Sequence, residues 1–156
     1  MSIFNRGRGI ITPCGGEVIR LEDVCDEVFS SGVMGKGFGV HPEENEIVSP
    51  IDGEIVNAYD TGHAFIIQSE DGLEVLVHIG INTVELEGEY LEPRVKKGMK
   101  IRQGDKLAYA DTVKILERGY DPTVVVVITN SEKLSSLKVT RTHASPKEQV
   151  ATYKTK

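Results

Sequence analysis

Tryptophan is absent from this chain of 156 residues, and cysteine occurs only twice. Two cysteines eleven positions apart, with no C-x-x-C pair, are too few for a disulfide framework or a zinc ribbon. We therefore interpret Cys14 and Cys25 as reduced packing residues. Such cysteines are typical of a protein that works in the reducing cytoplasm.

Long hydrophobic runs and an excess of positive charge are missing too. No apolar stretch approaches the roughly 20 residues that a membrane-spanning helix needs. Residues 1–9 carry two arginines but no apolar segment behind them, so they do not form a secretory signal. The formal net charge of −6 opposes binding to the phosphate backbone of nucleic acids. The sequence predicts a protein without membrane insertion that binds basic protein surfaces.

The residues that are present describe a soluble globular protein built from short strands. Hydrophobic residues make up 39% of the chain and charged residues 27%, which is enough of each for a core and a solvated surface. Many of the 16 glycines stand between short apolar runs, where tight turns need a residue that tolerates positive φ. These features predict an all-β protein, an antiparallel sandwich or barrel with few short helical turns.

A short internal repeat is the clearest pattern in the chain. Residues 11–19 and 48–56 each place an apolar and a hydroxyl residue before proline, then a turn with glycine, then glutamate and an apolar pair. The repeat favours a β fold with internal pseudo-symmetry. The alternative, that Pro-x-x-Gly turns recur in β proteins by chance, stays open on sequence alone.

Local signals place several elements. An Asp-Gly turn lies between the strand-like runs 64–68 and 74–79, which predicts a hairpin. The β-branched run 124–128 is typical of a strand buried on both faces. Asp111 is positioned to cap a short helix that ends at Gly119, and another turn is predicted from Asn130.

The domain organisation follows from these signals. We predict a flexible N-terminus over residues 1–10 and a single domain over residues 11–145. Residues 146–156 are polar and basic, and we predict a tail whose last residues fray.

Two of the four histidines bracket the predicted hairpin. With a two- or four-residue loop, Phe65 pairs with His78 and His63 pairs with Gly80. His63 and His78 are then diagonal neighbours on one face, with backbone positions about 7–8 Å apart. A three-residue loop would shift the register by one and put the histidines on opposite faces.

A pair of imidazoles on a β face has three chemical uses: metal binding, acid–base chemistry or a phosphohistidine site. An imidazole with a pKa of about 6.5 is mostly neutral at pH 7 and is already a nucleophile. A second imidazole can donate a hydrogen bond to phosphoryl oxygens. The alternative is that one or both histidines are half-buried sheet residues without a chemical role.

The sequence around the pair resembles the glucose-type enzyme IIA of the bacterial phosphoenolpyruvate–sugar phosphotransferase system (PTS). The likeness covers roughly residues 11–137 and includes a V-H-x-G-I-x-T-V-x-L stretch that fixes many positions around one histidine. The segments that carry it are Tyr59–Phe65, Val75–Leu86, Val28–Phe29, Met34–Val40, Val48–Gly53, and Lys97–Gly98 through Gly104–Asp105.

The resemblance implies a fold of the duplicated hybrid motif type and roles for particular residues. His78 matches the histidine that is phosphorylated on Nε2. His63 matches the histidine that contacts the phosphoryl group, and Thr61 matches the hydroxyl residue that orients it. The backbone near Gly80 is expected to help hold the phosphate.

The resemblance also implies a docking surface around the histidines. Asp26 matches one of two acidic positions that receive an arginine of the donor, and Asn82 stands where the family usually has the other, which weakens the local negative charge. Ordinary core packing is the alternative for Val33 and Leu76, and we expect His41 and His143 to be exposed outside the site. The apolar docking positions are Phe29, Val33, Tyr59, Leu76 and Ile79.

The implied activity is that of a transferase with a phosphohistidine intermediate. His78 would accept the phosphoryl group of HPr and pass it to a cysteine on the IIB domain of a sugar permease. The implied protein is a monomer and a separate polypeptide, needs no cofactor, and works in the cytoplasm at the inner face of the membrane.

Two other functions stay open from the sequence. One is a zinc-dependent hydrolase with His63 and His78 as ligands, although the chain has no H-x-H or H-x-x-x-H pair and no clear third ligand nearby. Zinc could also bind between the two histidines if a partner supplied a carboxylate. The other is a regulatory binding module that inhibits transporters or kinases in its unphosphorylated state.

Overall fold

The structure, a computed structural model, describes residues 8–156. Short strands dominate it, and within these residues no helix has the length and apolarity that a membrane span requires. The helices are α1 (Glu27–Ser30), α2 (Thr112–Glu117) and the 3₁₀ turns Leu21–Asp23, Thr83–Leu86 and Ser131–Lys133. The strands are β1 (Arg8–Ile11), β2 (Gly16–Arg20), β3 (Lys36–Pro42), β4 (Glu46–Val48), β5 (Gly53–Ala58), β6 (Ala64–Ser69), β7 (Glu74–Ile79), β8 (Leu91–Pro93), β9 (Lys100–Ile101), β10 (Lys106–Ala110), β11 (Val124–Ile128), β12 (Leu134–Val139), β13 (His143–Ala144) and β14 (Gln149–Thr155).

The strands form antiparallel sheets, which confirms the predicted all-β class. The largest sheet has the order β13-β2-β3-β11-β7-β6-β5-β9. Two three-stranded sheets, β1-β14-β12 and β4-β10-β8, complete the fold.

The large sheet is pseudo-symmetric about its centre, where Val126 on β11 pairs with Val77 on β7. From that pair, β3, β2 and β13 follow on one side and β6, β5 and β9 on the other. The repeated turns bind each other reciprocally: the Ile11 N–H donates to the Pro50 carbonyl (3.1 Å), and the Val48 N–H donates to the Pro13 carbonyl (2.8 Å). The predicted internal repeat is therefore confirmed.

The main core lies between the sheets and is built from β-branched, leucine and phenylalanine side chains. Every residue of β11 is buried, as the β-branched run predicts. Helix α2 also follows its prediction, because the Asp111 carboxylate accepts from the Lys114 N–H (3.2 Å) and Gly119 follows the helix with a φ of 89°.

A second apolar cluster lies on the outer face of the large sheet. The connection between β2 and β3, residues 21–35, places Leu21, Val24 and Phe29 over the sheet residues Val125 and Val127. This connection forms one wall of the candidate site.

The prediction that residues 146–156 form a tail is wrong. Strand β14 lies between β1 and β12, and its side chains Val150, Ala151 and Tyr153 are buried. The segment reads as polar because the other strand positions face solvent. Of the predicted flexible N-terminus, residues 8–10 belong to β1, and residues 1–7 lie outside the described part of the chain.

The two cysteines differ in their environment. Cys14 is buried, as expected of a packing residue, and burial raises the pKa of its thiol far above the ordinary value. Cys25 is exposed, so its assignment as a packing residue is wrong.

The hairpin is present, but its predicted register is wrong by one residue. Ala64 pairs with His78, and Ser69 and Leu73 close a three-residue loop. Asn130, from a distant turn, supports this register: its side chain accepts from the Glu74 N–H (2.8 Å) and donates to the Gly72 carbonyl (2.9 Å). The start of β7 is therefore held by a contact that local sequence does not reveal.

Candidate functional site

His63 and His78 meet even though the register is shifted. Their ring centroids are 5.3 Å apart, with the ring planes at 77°. His63 precedes β6 and follows Gly62, which has a φ of 72°, so its side chain does not follow the alternation of the strand. The expected proximity is therefore confirmed, although the predicted diagonal pairing within the hairpin is not its cause.

One hydrogen bond sets the protonation of the His78 ring. Its Nδ1 lies 2.7 Å from the carbonyl oxygen of Gly80. A carbonyl can only accept, so Nδ1 carries the proton and Nε2 keeps a lone pair. Gly80 has a φ of 79°, and a Cβ there would lie 2.4 Å from Cγ2 of Thr83, so the turn requires glycine.

The N–H groups near Gly80 already have partners. The Gly80 N–H donates to the Thr123 carbonyl (2.9 Å), and the Ile81 N–H donates to the Asp121 carbonyl (2.8 Å). The expectation that this backbone helps to hold a phosphate is therefore not met by these groups. Instead, the backbone orients His78. Sequence reasoning missed Asp121 and Thr123, whose only signal is an Asp-Pro-Thr turn pattern.

The ring of His63 is held by Thr61. The threonine hydroxyl and Nδ1 of His63 are hydrogen-bonded, as the resemblance led us to expect. A hydroxyl can donate to a neutral Nδ1, which leaves the proton on Nε2. In that tautomer His63 offers a donor beside the lone pair of His78.

Burial keeps both imidazoles neutral near pH 7. It lowers the pKa of His63 to about 4, and the neighbouring His78 acts in the same direction. Burial also lowers the pKa of His78, against the opposing effects of the Gly80 carbonyl and the Asp26 carboxylate.

Two aromatic rings flank the pair. Phe29 contacts His78 edge-on at 5.2 Å between ring centroids, and Tyr59 contacts His63 at 5.2 Å. Phe29 is buried, whereas Tyr59 is 43% exposed.

The other predicted docking residues lie in different environments. Val33 is 77% exposed and available for contact, whereas Leu76 is buried in the outer cluster beneath the site. Ile79 is fully buried in the main core, so its prediction as a docking residue is wrong. Successive strand residues point to opposite faces, and Ile79 therefore points inward next to the outward-facing His78.

Asp26 and Asn82 have structural roles of their own. The Asp26 carboxylate caps α1 by accepting from the Val28 N–H (2.8 Å). Asn82 has a φ of 60°, a left-handed conformation that asparagine adopts more easily than most residues.

The remaining histidines lie outside the pair and are exposed, as predicted. Nδ1 of His41 is 3.0 Å from the Thr123 hydroxyl, and Nε2 of His143 is 2.9 Å from the Glu43 carboxylate.

Metal binding can be tested against these side chains. Among residues 8–156, no group of three or more histidine, cysteine, aspartate or glutamate side chains is arranged to hold a metal ion. Zinc between His63 and His78 would need a further ligand from another molecule.

Comparison with known proteins shows the family of the chain. The model of a family described as "phosphoenolpyruvate-dependent sugar phosphotransferase system, EIIA 1" matches residues 8–134. The chain belongs to this family. Its fold is therefore that of a PTS EIIA protein.

Individual EIIA relatives agree with the assignment. A glucose-specific EIIA component of Bacillus cereus is 40% identical over 131 residues, which cover 84% of this chain and 79% of that protein. The solved glucose permease IIA from Mycoplasma capricolum matches with a TM-score of 0.87 and 32% identity, covering 97% of this chain and 98% of the other.

Larger relatives contain an EIIA region as one part. A β-glucoside-specific EIIBCA component of Bacillus subtilis is 44% identical over 135 residues, or 86% of this chain. The chain spans about a fifth of such proteins: 22% of this one and 20% of its counterpart in Dickeya chrysanthemi.

Proposed function

We propose that this EIIA chain accepts a phosphoryl group from phospho-HPr on Nε2 of His78 and passes it to a IIB domain of a sugar permease. The observation that best supports the proposal is the 2.7 Å contact between Nδ1 of His78 and the Gly80 carbonyl. That contact leaves the Nε2 lone pair ready to attack.

The two transfers balance without a cofactor. In the first, the Nε2 lone pair attacks phosphorus, an N–P bond forms on His78, and the N–P bond of HPr breaks with its electrons returning to the donor imidazole. In the second, a cysteine thiolate of the IIB domain attacks, an S–P bond forms, and the electron pair returns to Nε2. Such transfers depend mainly on positioning and charge stabilisation, so a shallow site with few groups is sufficient.

His63 stabilises the group in transit. With its Nδ1 bonded to the Thr61 hydroxyl, its Nε2–H donates to a phosphoryl oxygen. An imidazole can also take up positive charge as negative charge develops on the phosphoryl oxygens, and a neutral amide cannot.

Donor and acceptor dock in turn on the same apolar surface. Val33 and Tyr59 provide its exposed contact area, with Phe29 and Leu76 packed beneath. Asp26 receives an arginine of the donor, while Asn82 offers a hydrogen bond without charge. Attraction to a basic donor is therefore weaker than with two carboxylates.

The IIB partner is inferred from the names of the larger relatives. An EIIBCA component joins A, B and C parts in one protein, which keeps the A part close to its acceptor. We place the present chain in the cytoplasm at the inner face of the membrane, because a permease is its final acceptor. The resemblance to the family supports a monomer.

Intact mass spectrometry tests the proposal. Purified wild type, His78→Ala and His63→Gln are mixed with phosphoenolpyruvate, enzyme I and HPr, with and without a IIB domain. We expect one acid-labile phosphoryl group on wild type and His63→Gln and none on His78→Ala. Onward transfer from His63→Gln should fall on the order of 10²–10³-fold. Wild type that gains no mass would refute the carrier function with this donor.

A further inference from the structure

The tautomer of His78 depends on one peptide group. Its Nδ1–H has the Gly80 carbonyl as its partner, and that carbonyl follows β7 in a left-handed turn. The ladder of the sheet does not fix the direction of a carbonyl in such a turn. If it rotated away, the ring proton could move to Nε2 and occupy the lone pair that attacks.

The opposite side of the same peptide is anchored. The Gly80 carbonyl and the Ile81 N–H belong to one planar trans unit and point in opposite directions. The Ile81 N–H donates to the Asp121 carbonyl (2.8 Å), and the preceding Gly80 N–H donates to the Thr123 carbonyl (2.9 Å). Segment 121–123 thus holds the peptide with its oxygen directed at His78.

Side chains hold segment 121–123 in turn. Oδ1 of Asp121 accepts from both the N–H (2.9 Å) and the hydroxyl (2.6 Å) of Thr123. Pro122 stands between them and restricts the backbone further. Thr123 is only 1% exposed, so losing these bonds would leave buried polar groups without partners.

His41 closes the chain of bonds from the neighbouring strand. The Thr123 hydroxyl gives its proton to a carboxylate, so its oxygen accepts from Nδ1–H of His41 at 3.0 Å. The hydrogen-bonded series then runs from His41 through Thr123 and Asp121 to the Gly80–Ile81 peptide and ends at His78.

We propose that Asp121 and Thr123, supported by His41, are positioning residues that keep the ring proton of His78 on Nδ1. Their effect on phosphoryl acceptance rests on the proposed function. Their effect on the tautomer does not, because it is measured on the protein alone.

Nitrogen-15 NMR of the histidine rings at pH 7.5 tests the proposal. Wild type is compared with Asp121→Ala, Asp121→Asn and Thr123→Val. We expect Asp121→Ala to move the His78 tautomer ratio about three- to tenfold toward Nε2–H, which is the effect of a lost neutral hydrogen bond. Asparagine keeps an acceptor oxygen and should restore most of the wild-type ratio. Thr123→Val should give an intermediate shift.

Thr129→Val is the matched control. Thr129 occupies the pseudo-symmetric place of Gly80, where its N–H donates to the Glu74 carbonyl (2.9 Å), far from both site histidines. The Thr129→Val change also removes a threonine hydroxyl, here one whose contacts to Glu74 are 3.3 Å long, and the His78 ratio should stay at the wild-type value.

The outcomes separate the two proposals. If Asp121→Ala and Thr123→Val fold and keep the wild-type ring signals, the positioning role is overturned. If Asp121→Ala does not fold, the result for Thr123→Val decides. If wild type accepts no phosphate while Asp121→Ala still moves the proton, the carrier function fails and the positioning role stands. If both hold, acceptance by Asp121→Ala should slow by about the same three- to tenfold factor.

Discussion

The two halves of the large sheet, β13-β2-β3-β11 and β7-β6-β5-β9, have the same pattern of strand pairing but carry different side chains. Gly37 pairs with Val127 in one half as Ala64 pairs with His78 in the other, so Val127 occupies the pseudo-symmetric place of His78. By the same relation, Lys36, which pairs with Ile128, occupies the pseudo-symmetric place of His63. The fold therefore needs the strands of both halves, whereas the imidazole pair belongs to one.

The lengths of two connections explain why only one half is open. Residues 21–35 join β2 to β3 and fold over the outer face, where they bury Val125 and Val127 completely. The equivalent connection from β5 to β6 covers only residues 59–63, too short to cover His78. A duplicated fold can thus gain a reactive site when one copy keeps a short connection.

Making the halves alike at the key position should have the largest effect. His78→Val places the counterpart residue in β7, so phosphorylation should be abolished while the strand, which tolerates valine well, stays folded. Intact mass after incubation with the phosphoryl donor measures the loss, and Lys36→Ala serves as the control that should be phosphorylated normally. Phosphate retained by His78→Val would place the acceptor elsewhere.

Shortening either side chain of the central pair should lower the free energy of unfolding by the same amount. Val77 and Val126 are opposite each other, and both lie in the main core with almost no exposure. Val77→Ala and Val126→Ala should each lower the free energy of unfolding by about 2 kcal/mol. Urea denaturation measures both, and very different costs for the two variants would argue against an equivalent core on the two sides of the axis.

Lowering the pH should reduce stability through one half of the sheet, because both site imidazoles lie in that half. Above the unfolded-state pKa of about 6.5, folded and unfolded chains hold these rings neutral. Between pH 6.5 and about 4, the unfolded chain binds protons that the folded chain resists, so stability falls as the pH falls.

Denaturation at pH 7.5, 6 and 4.5 measures this dependence. The double variant His63→Gln/His78→Val should lose less stability over that range than wild type. An identical decline in both proteins would show that other groups cause it.

The connection 21–35 should contribute a smaller effect through its exposed valine. Val33→Ser removes apolar contact area from the proposed docking surface, so phosphoryl acceptance at low donor concentration should slow about threefold. Val139→Ser, at a 42% exposed position on β12, is the matched control and should leave the rate unchanged. Equal slowing in the two variants would argue against docking at Val33.

Features that depend on local sequence were predictable. The burial of β11 follows from its β-branched run, and α2 begins and ends at the residues that cap it. The histidine pair was predictable because family motifs surround it. Its neutral state follows from burial, which the apolar neighbours in the sequence already suggest.

Features that depend on distant contacts were not predictable. The hairpin register is held by Asn130, and the polar-looking C-terminal segment becomes a strand because β1 and β12 pair with it on both sides. Ile79 was assigned to the surface by resemblance, although strand alternation beside His78 already points it inward. The shift in register also means that the proximity of the histidines depends on the bend at Gly62.

The pairing of β14 between β1 and β12 bears on the order in which the chain can fold during synthesis. The sheet of β4, β10 and β8 can close once residue 110 has emerged, because its strands span residues 46–110. Strand β1 must wait, since Arg8 pairs with Tyr153 at the far end of the chain. Such distant pairing slows folding. The sheet of β4, β10 and β8 can therefore close while β1 is still without its partner strand.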